Sequence, residues 1–476
     1  MEAINSIQDS EIGMVGLGVM GCNLLLNLAD HGFSGAGYDK DSNKVEALKK
    51  AALQPSIHCT ANLPEFILSL RLPRSIILLV PAGAPVDSVI NEMLPYLEKD
   101  DLIIDLGNSY FKDTDMRVIR LKEKGIQFMG VGISGGEEGA RHGASIMPGG
   151  LPESYERIKP FFESVAARVN DEPCVTYLGP SSAGHFVKMV HNGIEYGLME
   201  LISETYALMR QLVGLTDGEL HMIYDEWNTG ELNGFLIEIT AAIFGRVDEK
   251  TGKELINEIL DVARQKGTGM WTSQSAMELQ VPVPTIDMAV MMRDLSTFEV
   301  LRKKANLIYR PGEPLFDGER KLFLKQLHNA FLVAMLTTYA QGFALLAGAS
   351  GKYGYQLNLE SIARIWRGGC IIRSRALEDI QSAFHLQPDL TNILLDPGIS
   401  RQMIVHREAL SLIVSQASEV GIPIPGLMAS LSYLDALSSS WLPANLIQAQ
   451  RDYFGAHTYE RIDAKGTFHT EWLKKK

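Results

Sequence analysis

Cysteine is scarce in this chain of 476 residues, with four in all. Cys22, Cys59, Cys174 and Cys370 lie far apart, without the paired spacing of a disulfide framework or a zinc site. Reduced thiols in a cytoplasmic protein are the expectation. No run of eighteen or more apolar residues occurs, so no membrane span is expected. The opening "MEAINSIQDSEIGMVG" has no basic start leading into an apolar stretch, which argues against a secretory signal. Basic charge is in deficit: 44 Lys and Arg against 57 Asp and Glu leave a formal charge of −13. A general affinity for nucleic acid, which needs a basic footprint, is excluded on that ground. An anionic substrate would need positive charge gathered locally against the field of the whole chain. The closing Lys474–Lys476 reads as a solvated end. No internal repeat or low-complexity segment appears, and no His, Cys and Asp cluster has metal-ligand spacing.

What is present is material for large cores, with 46% apolar residues, and a length that suits two or three domains. Short β-branched runs alternate with helical patterns in the first part. Strands are predicted at Glu11–Gly16, Gly35–Asp39, Ser75–Val80, Asp101–Gly107 and Ile126–Gly132, and a helix at Met20–His31. Near-continuous apolar strands separated by helices imply a doubly wound, mostly parallel sheet covered on both faces. From about residue 183 helical spacing takes over. The expected division is an α/β Rossmann-like domain over 1–182, a large all-α domain over 183–440, and a C-terminal segment over 441–476.

"GLGVMG" (Gly16, Leu17, Gly18, Val19, Met20, Gly21) has G-x-G-x-x-G spacing, follows a strand and opens a helix. Its glycines permit a tight turn and close approach to a pyrophosphate, which the helix N-terminus attracts. Asp39 closes the second strand 23 positions after Gly16, where a carboxylate suits the ribose hydroxyls of a dinucleotide. Asp39 and Asp41 disfavour a 2′-phosphate and lean to NAD; Lys40 leaves NADP open.

In "AGHFVKMVHNGIEY", Lys188, His191, Asn192, Glu195 and Tyr196 fall within an arc of roughly 140° on one helix. Lys188 and Glu195 stand about 10 Å apart along the axis, too far for a helix-surface ion pair. The gap suits a small sugar-sized molecule held between a proton acceptor and a proton donor. A polar stripe facing solvent or another subunit fits the same pattern.

These residues, with "DLGNSYFKDT", "GISGGEEGARHGASIMPGG", "QKGTGMWT", "WRGGCIIRS" and "LIQAQRDYFGAHTY", resemble the decarboxylating 6-phosphogluconate dehydrogenases over nearly the whole length. The resemblance implies oxidation and decarboxylation of 6-phosphogluconate to ribulose 5-phosphate and carbon dioxide, in the pentose phosphate pathway, without a metal. It implies Lys188 as base and Glu195 as acid. It places Asn108 against substrate and nicotinamide, and Ser134, Gly135, Gly136, His191 and Asn192 on the substrate. It assigns the substrate phosphate to Tyr196, Lys266, Thr268, Arg293 and, across a homodimer interface, Arg451, with His457 also crossing to reach the sugar. Departures bear on the coenzyme. The family's Asn-Arg-Thr strand end is Asp39, Lys40 and Asp41 here, and its Val-Lys-Ala loop is Val80, Pro81 and Ala82. Gly18 stands where alanine is common, and Met270 where lysine is usual. The tail after Tyr459 is short. Two other readings stand beside this one: a β-hydroxyacid dehydrogenase for a smaller, unphosphorylated acid, and a non-catalytic dinucleotide sensor.

Overall fold

The computed structural model describes residues 10–52, 56–309 and 316–473; the expectations for Lys474–Lys476 and for the first nine residues lie outside these. The α/β part runs β1 (Ile12–Val15), α1 (Val19–Asp30), β2 (Gly35–Tyr38), α2 (Ser42–Ala51), β3 (Ile57–Thr60), α3 (Leu63–Leu68), β4 (Ser75–Leu78), α4 (Ala84–Met93), β5 (Leu102–Asp105), α5 (Phe111–Lys122), β6 (Gln127–Ser134), α6 (Gly136–His142), β7 (Ser145–Gly149) and α7 (Pro152–Val165). The strands form one sheet in the order β3-β2-β1-β4-β5-β6-β7. All its pairings are parallel except that of β6 with β7. The order reverses between β1 and β4, the crevice where such sheets bind dinucleotides.

Alternate residues of each strand enter different cores. Ile12, Met14, Ile77 and Ile104 pack with Leu24, Leu25 and Leu28 of α1. Val15, Ile76, Leu78 and Ile103 pack with Phe66 of α3 and Val86 and Ile90 of α4. Both faces being covered, the strands read as continuous apolar runs. Two strands had no such signal. β3 (Ile-His-Cys-Thr) has one aliphatic residue, and β7 carries Pro148, tolerated because it lies at the antiparallel sheet edge.

A short hairpin, β8 (Arg168–Val169) and β9 (Glu172–Pro173), leads to the helices. These are α8 (Ala183–Ala207), α9 (Asp217–Trp227), α10 (Phe235–Phe244), α11 (Thr268–Leu279), α12 (Pro284–Ser296), α13 (Glu299–Tyr309), α14 (Arg320–Tyr353), α15 (Leu359–Trp366), α16 (Ala376–Leu386), α17 (Pro397–Val420) and α18 (Pro425–Ser438). Helix α8 starts hard against the sheet. A Cβ on Gly184 would meet Met147 O at 2.2 Å, Gly130 O at 2.4 Å and Gly149 N at 2.6 Å. Further along, Gly197 of α8 faces Thr338 of α14, and Gly342 of α14 faces Ile194 of α8. Only glycine permits backbones this close. α14 is long and apolar enough by length and composition to cross a membrane, but 89% of its most apolar window is buried inside the protein. That marks it as a core helix.

Contacts divide the chain into residues Met1–Ser430 and Leu431–Lys476. The second unit holds α19 (Ala444–Gly455) and a hairpin of β10 (Tyr459–Glu460) with β11 (Thr467–Phe468). Its centre is Asp452, buried, whose carboxylate accepts from Thr458 N–H, Thr470 N–H, His469 Nδ1 and Trp472 Nε1 at 2.8–3.0 Å.

Candidate active site

The glycine turn has the shape the sequence predicts. Gly16 sits at φ +97°, and a Cβ there would lie 2.5 Å from Leu79 O. One on Gly21 would lie 1.9 Å from Gly16 O. A Cβ on Gly18 would meet no described heavy atom within 4 Å, so this residue borders open space. The N–H groups of Val19, Met20 and Gly21 precede the first bond of α1, from Cys22 N–H to Gly18 O, and no described side chain caps them. Uncapped donors and a positive dipole end suit a pyrophosphate. Val80 is half-buried, and Pro81 and Ala82 are exposed on the adjacent loop.

Asp39 is occupied. Its Oδ2 accepts from Leu17 N–H at 2.9 Å and from Lys44 Nζ at 3.1 Å, and its Oδ1 accepts from Asp41 N–H at 2.9 Å. Burial pushes its carboxyl up, but the amides of Asp41 and Leu17 and the Lys44 ammonium outweigh that and hold it below the ordinary value. Lys40 donates to Glu92 Oε1 at 2.7 Å, and Asp41 caps α2 through Asn43 N–H. The carboxylate thus fastens the glycine turn to the end of β2 from within.

The stripe on α8 is buried except at Glu195, which is half-buried. Lys188 is 6% exposed, His191 0% and Asn192 9%. A Cβ on Gly132 would lie 2.3 Å from Lys188 Cβ, so the lysine leaves the helix directly over β6. His191 stands between the two groups singled out in the sequence. Its Nδ1 is 3.3 Å from Lys188 Nζ, 3.1 Å from Asn192 Oδ1 and 3.9 Å from Glu195 Oε2. Its Nε2 is 3.2 Å from Ser134 Oγ, which accepts from Ile371 N–H at 3.4 Å. Lys188 and Glu195 therefore lie on one side of α8, joined through an imidazole that meets the serine of the "SGG" loop. In that loop Gly135 and Gly136 adopt φ +120° and +62°, and a Cβ on Gly135 would lie 2.7 Å from Gly369 O.

Burial governs the electrostatics. Desolvation brings the Lys188 ammonium down to about 8, against opposing pulls from Glu195 and Cys370. Desolvation, then Lys188, drives His191 well below its usual value, so the ring is neutral. Burial raises the Glu195 carboxyl despite Lys188 and Arg293. Both shifts run in the direction that a general base and a general acid need, toward an amine that gives up its proton more easily and a carboxyl that keeps its proton to higher pH.

A cationic corner adjoins the end of this row. The Arg293 guanidinium lies 3.4 Å from the centre of the Tyr196 ring. A Cβ on Gly269 would meet that ring at 2.4 Å, so the start of α11 presses on Tyr196 as well. Thr268 is the first residue of α11, and exposed Lys266 precedes it. Gln265 Nε2 donates to Asp294 Oδ1 at 2.6 Å, fastening this loop beside Arg293. No described side chain caps α11 and no acid lies in its first turn. Arg451 and His457 are exposed on the Leu431–Lys476 unit.

Asn108 is exposed on the turn after β5, between two residues tied to buried Asp105. Asp105 Oδ1 accepts from Gly107 N–H at 2.9 Å and Oδ2 from Ser109 Oγ at 2.6 Å. Asp105, Ser109 and the neighbouring His185 were not singled out from the sequence. An Asp two residues before a Gly is a recognisable side-chain-to-backbone turn, so this clamp left a signal. His185 left none, since a histidine in an apolar helix is more often structural. Glu200, one turn beyond Tyr196, was also passed over; burial lifts its carboxyl to about 7 against the pull of Arg293.

Residues 11–179 match the family described as the NAD binding domain of 6-phosphogluconate dehydrogenase, and residues 184–472 its C-terminal domain. A Bacillus subtilis protein named as an NADP(+)-dependent, decarboxylating 6-phosphogluconate dehydrogenase is 49% identical over 98% of this chain and 99% of its own. A chloroplastic decarboxylating 6-phosphogluconate dehydrogenase of Arabidopsis thaliana is 45% identical over 98% of each. The solved 6-phosphogluconate dehydrogenase of Plasmodium falciparum, described in its apo form and in complexes with NADP+ and 6-phosphogluconate, is 42% identical. It superposes with a TM-score of 0.94, over 97% of this chain and 100% of its own.

Proposed function

The chain belongs to the 6-phosphogluconate dehydrogenase family, and from that premise we propose that it oxidises and decarboxylates 6-phosphogluconate to ribulose 5-phosphate and carbon dioxide, reducing a nicotinamide dinucleotide. The observation that carries the reading is the buried row Lys188–His191–Glu195, with the Ser134 loop on its flank and a cationic corner at its end.

The residues at the glycine turn fit a dinucleotide: open space before Gly18 and three uncapped N–H donors. That group, when bound, supplies the hydride acceptor. Lys188, in the neutral form that desolvation makes accessible from about pH 8, takes the proton from the carbon 3 hydroxyl as oxidation proceeds. The resulting ammonium stays beside the new keto oxygen and stabilises the charge that develops there as carbon dioxide leaves. Glu195, whose carboxyl burial raises, protonates carbon 1 of the enediol. His191, neutral and fixed by Ser134, keeps the two groups apart without adding charge. Asn192 and the Ser134–Gly136 loop hold the sugar acid, and Asn108 meets substrate and coenzyme. Tyr196, Lys266, Thr268 and Arg293 receive the phosphate, which the N-terminus of α11 also favours.

Residues 1–182 form the dinucleotide domain and 183–440 the helical substrate domain. The segment 441–476 brings Arg451 and His457 to the neighbouring site in a homodimer. The enzyme works in the cytoplasm. For the coenzyme, Asp39 favours NAD by repelling a 2′-phosphate, and Lys40 must leave Glu92 before it can attract one. The NADP-dependent relative argues the other way. An absorbance assay with 6-phosphogluconate and each dinucleotide separates these outcomes. Turnover with either sustains the proposed reaction, and turnover of 3-hydroxyisobutyrate-like acids alone overturns it. A rate with NADP well above that with NAD removes the reading of Asp39.

A further inference from the structure

The turn that presents Asn108 is held by groups the reaction scheme leaves unused. Asp105 is 1% exposed and ends β5. Its two carboxylate oxygens take Gly107 N–H and Ser109 Oγ–H, the residues on either side of Asn108. Arg117 Nη1 lies 3.6 Å from the same carboxylate, while its other guanidinium nitrogens hold Asp87 and Gly83 O of the neighbouring loop and helix. A Cβ on Gly107 would lie 3.3 Å from Val80 O, so the Asn108 turn also presses on the other loop at the dinucleotide crevice. Asp105 reaches α8 as well. Its carbonyl oxygen accepts from His185 Nε2 at 3.0 Å, which leaves His185 Nδ1 to accept from Thr114 Oγ1 at 2.6 Å. His185 is fully enclosed and stands one turn before Lys188.

Asp105 is thus a single buried residue whose side chain fixes Asn108 and whose backbone is bonded to the helix bearing Lys188. We propose that Asp105, Ser109 and His185 are positioning residues that set Asn108 and Lys188 at a fixed mutual distance for hydride transfer. This rests on the reading above that Asn108 meets substrate and coenzyme. Side chains that hold reacting partners within a few tenths of an ångström affect turnover more than binding. Charge-assisted bonds to a buried carboxylate are strong enough for that task.

The test is a double-mutant cycle on the full-length enzyme with Ser109→Ala, Asn108→Ala and both together. Ser109→Ala removes one bond and leaves the chemical groups on substrate in place. We expect kcat to fall about tenfold with KM moving far less. The deuterium isotope effect with substrate labelled at carbon 3 should rise, because hydride transfer becomes slower relative to other steps. The dissociation constant for oxidised dinucleotide, by calorimetry, should stay within about twofold. Ser109→Thr, which keeps the hydroxyl, should recover the wild-type isotope effect. In the Asn108→Ala background Ser109→Ala should add little. Additive losses, or an unchanged isotope effect, would overturn the proposal. If Asn108→Ala alone leaves turnover intact, the fault lies with the assignment of Asn108. Asp105→Asn serves as a second probe should Ser109→Ala not fold, since the isotope effect is read on the folded fraction alone.

Discussion

Lys188 places an amine where an ammonium is poorly tolerated, and this has a thermodynamic signature apart from catalysis. An unfolded lysine keeps its proton up to its ordinary value of 10.5, whereas the buried one releases it at about 8. Between those values the unfolded chain binds more protons, so stability rises with pH across that window and the full penalty applies below it. Lys188→Met should therefore abolish oxidation yet raise the unfolding temperature at pH 7. The gain is of order 3 kcal/mol, shrinking as pH climbs beyond 8. Calorimetric melts of both proteins over that range check it, and a variant less stable at neutral pH would contradict the burial argument. In the wild type, kcat/KM should rise with pH through about 8 as the base loses its proton. The Lys188–Glu195 pair was legible because helical periodicity alone puts both on one side. The same periodicity sets His191 between them, but its contact with Ser134 was not legible, since it joins positions 57 apart in the chain.

Secondary elements show which kinds of signal survive in a sequence. Helix α8 and strands β1, β2, β4, β5 and β6 were readable from apolar runs and periodicity. β3 and β7 were not, since each has partners that supply its order from outside. The packing of α8 on the sheet was equally hidden, because a glycine in a helical pattern does not reveal what lies against it. Gly184 is enclosed by the backbone of Met147, Gly130 and Gly149, none of which can rotate away. Gly184→Ala has the better intrinsic helix propensity, yet it should destabilise the protein by about 3 kcal/mol or more, because backbone must move to admit the methyl. Urea unfolding measures this. Since Lys188 follows one turn later, the surviving folded fraction should also lose turnover. A neutral or stabilising result would mean that α8 does not lie as close to the sheet as described.

The arrangement of whole molecules can be tested through complementation. If the C-terminal segment completes a neighbour's site, Lys188→Met and Arg451→Ala should each be nearly inactive alone, while co-expression should restore part of the turnover. A hybrid dimer holds one site with an intact lysine and Arg451 of the partner subunit. No recovery in verified hybrids would place Arg451 with its own chain. The Leu431–Lys476 unit has its own internal logic. Trp441, Leu446, Ile447 and Phe454 are all exposed, and little apolar interior holds the segment together. Burial would lift the Asp452 carboxyl, yet His469, Thr470, Trp472 and Thr458 outweigh it and keep the group ionised. Beside the β10–β11 pairing and the Tyr459–Phe468 and Tyr453–Trp472 ring contacts, four donors of this stretch converge on one anion. Withdrawing it strands four donors together, so this stretch should behave as a latch with two settings, fastened or open, in place of the gradual fraying usual for a chain terminus.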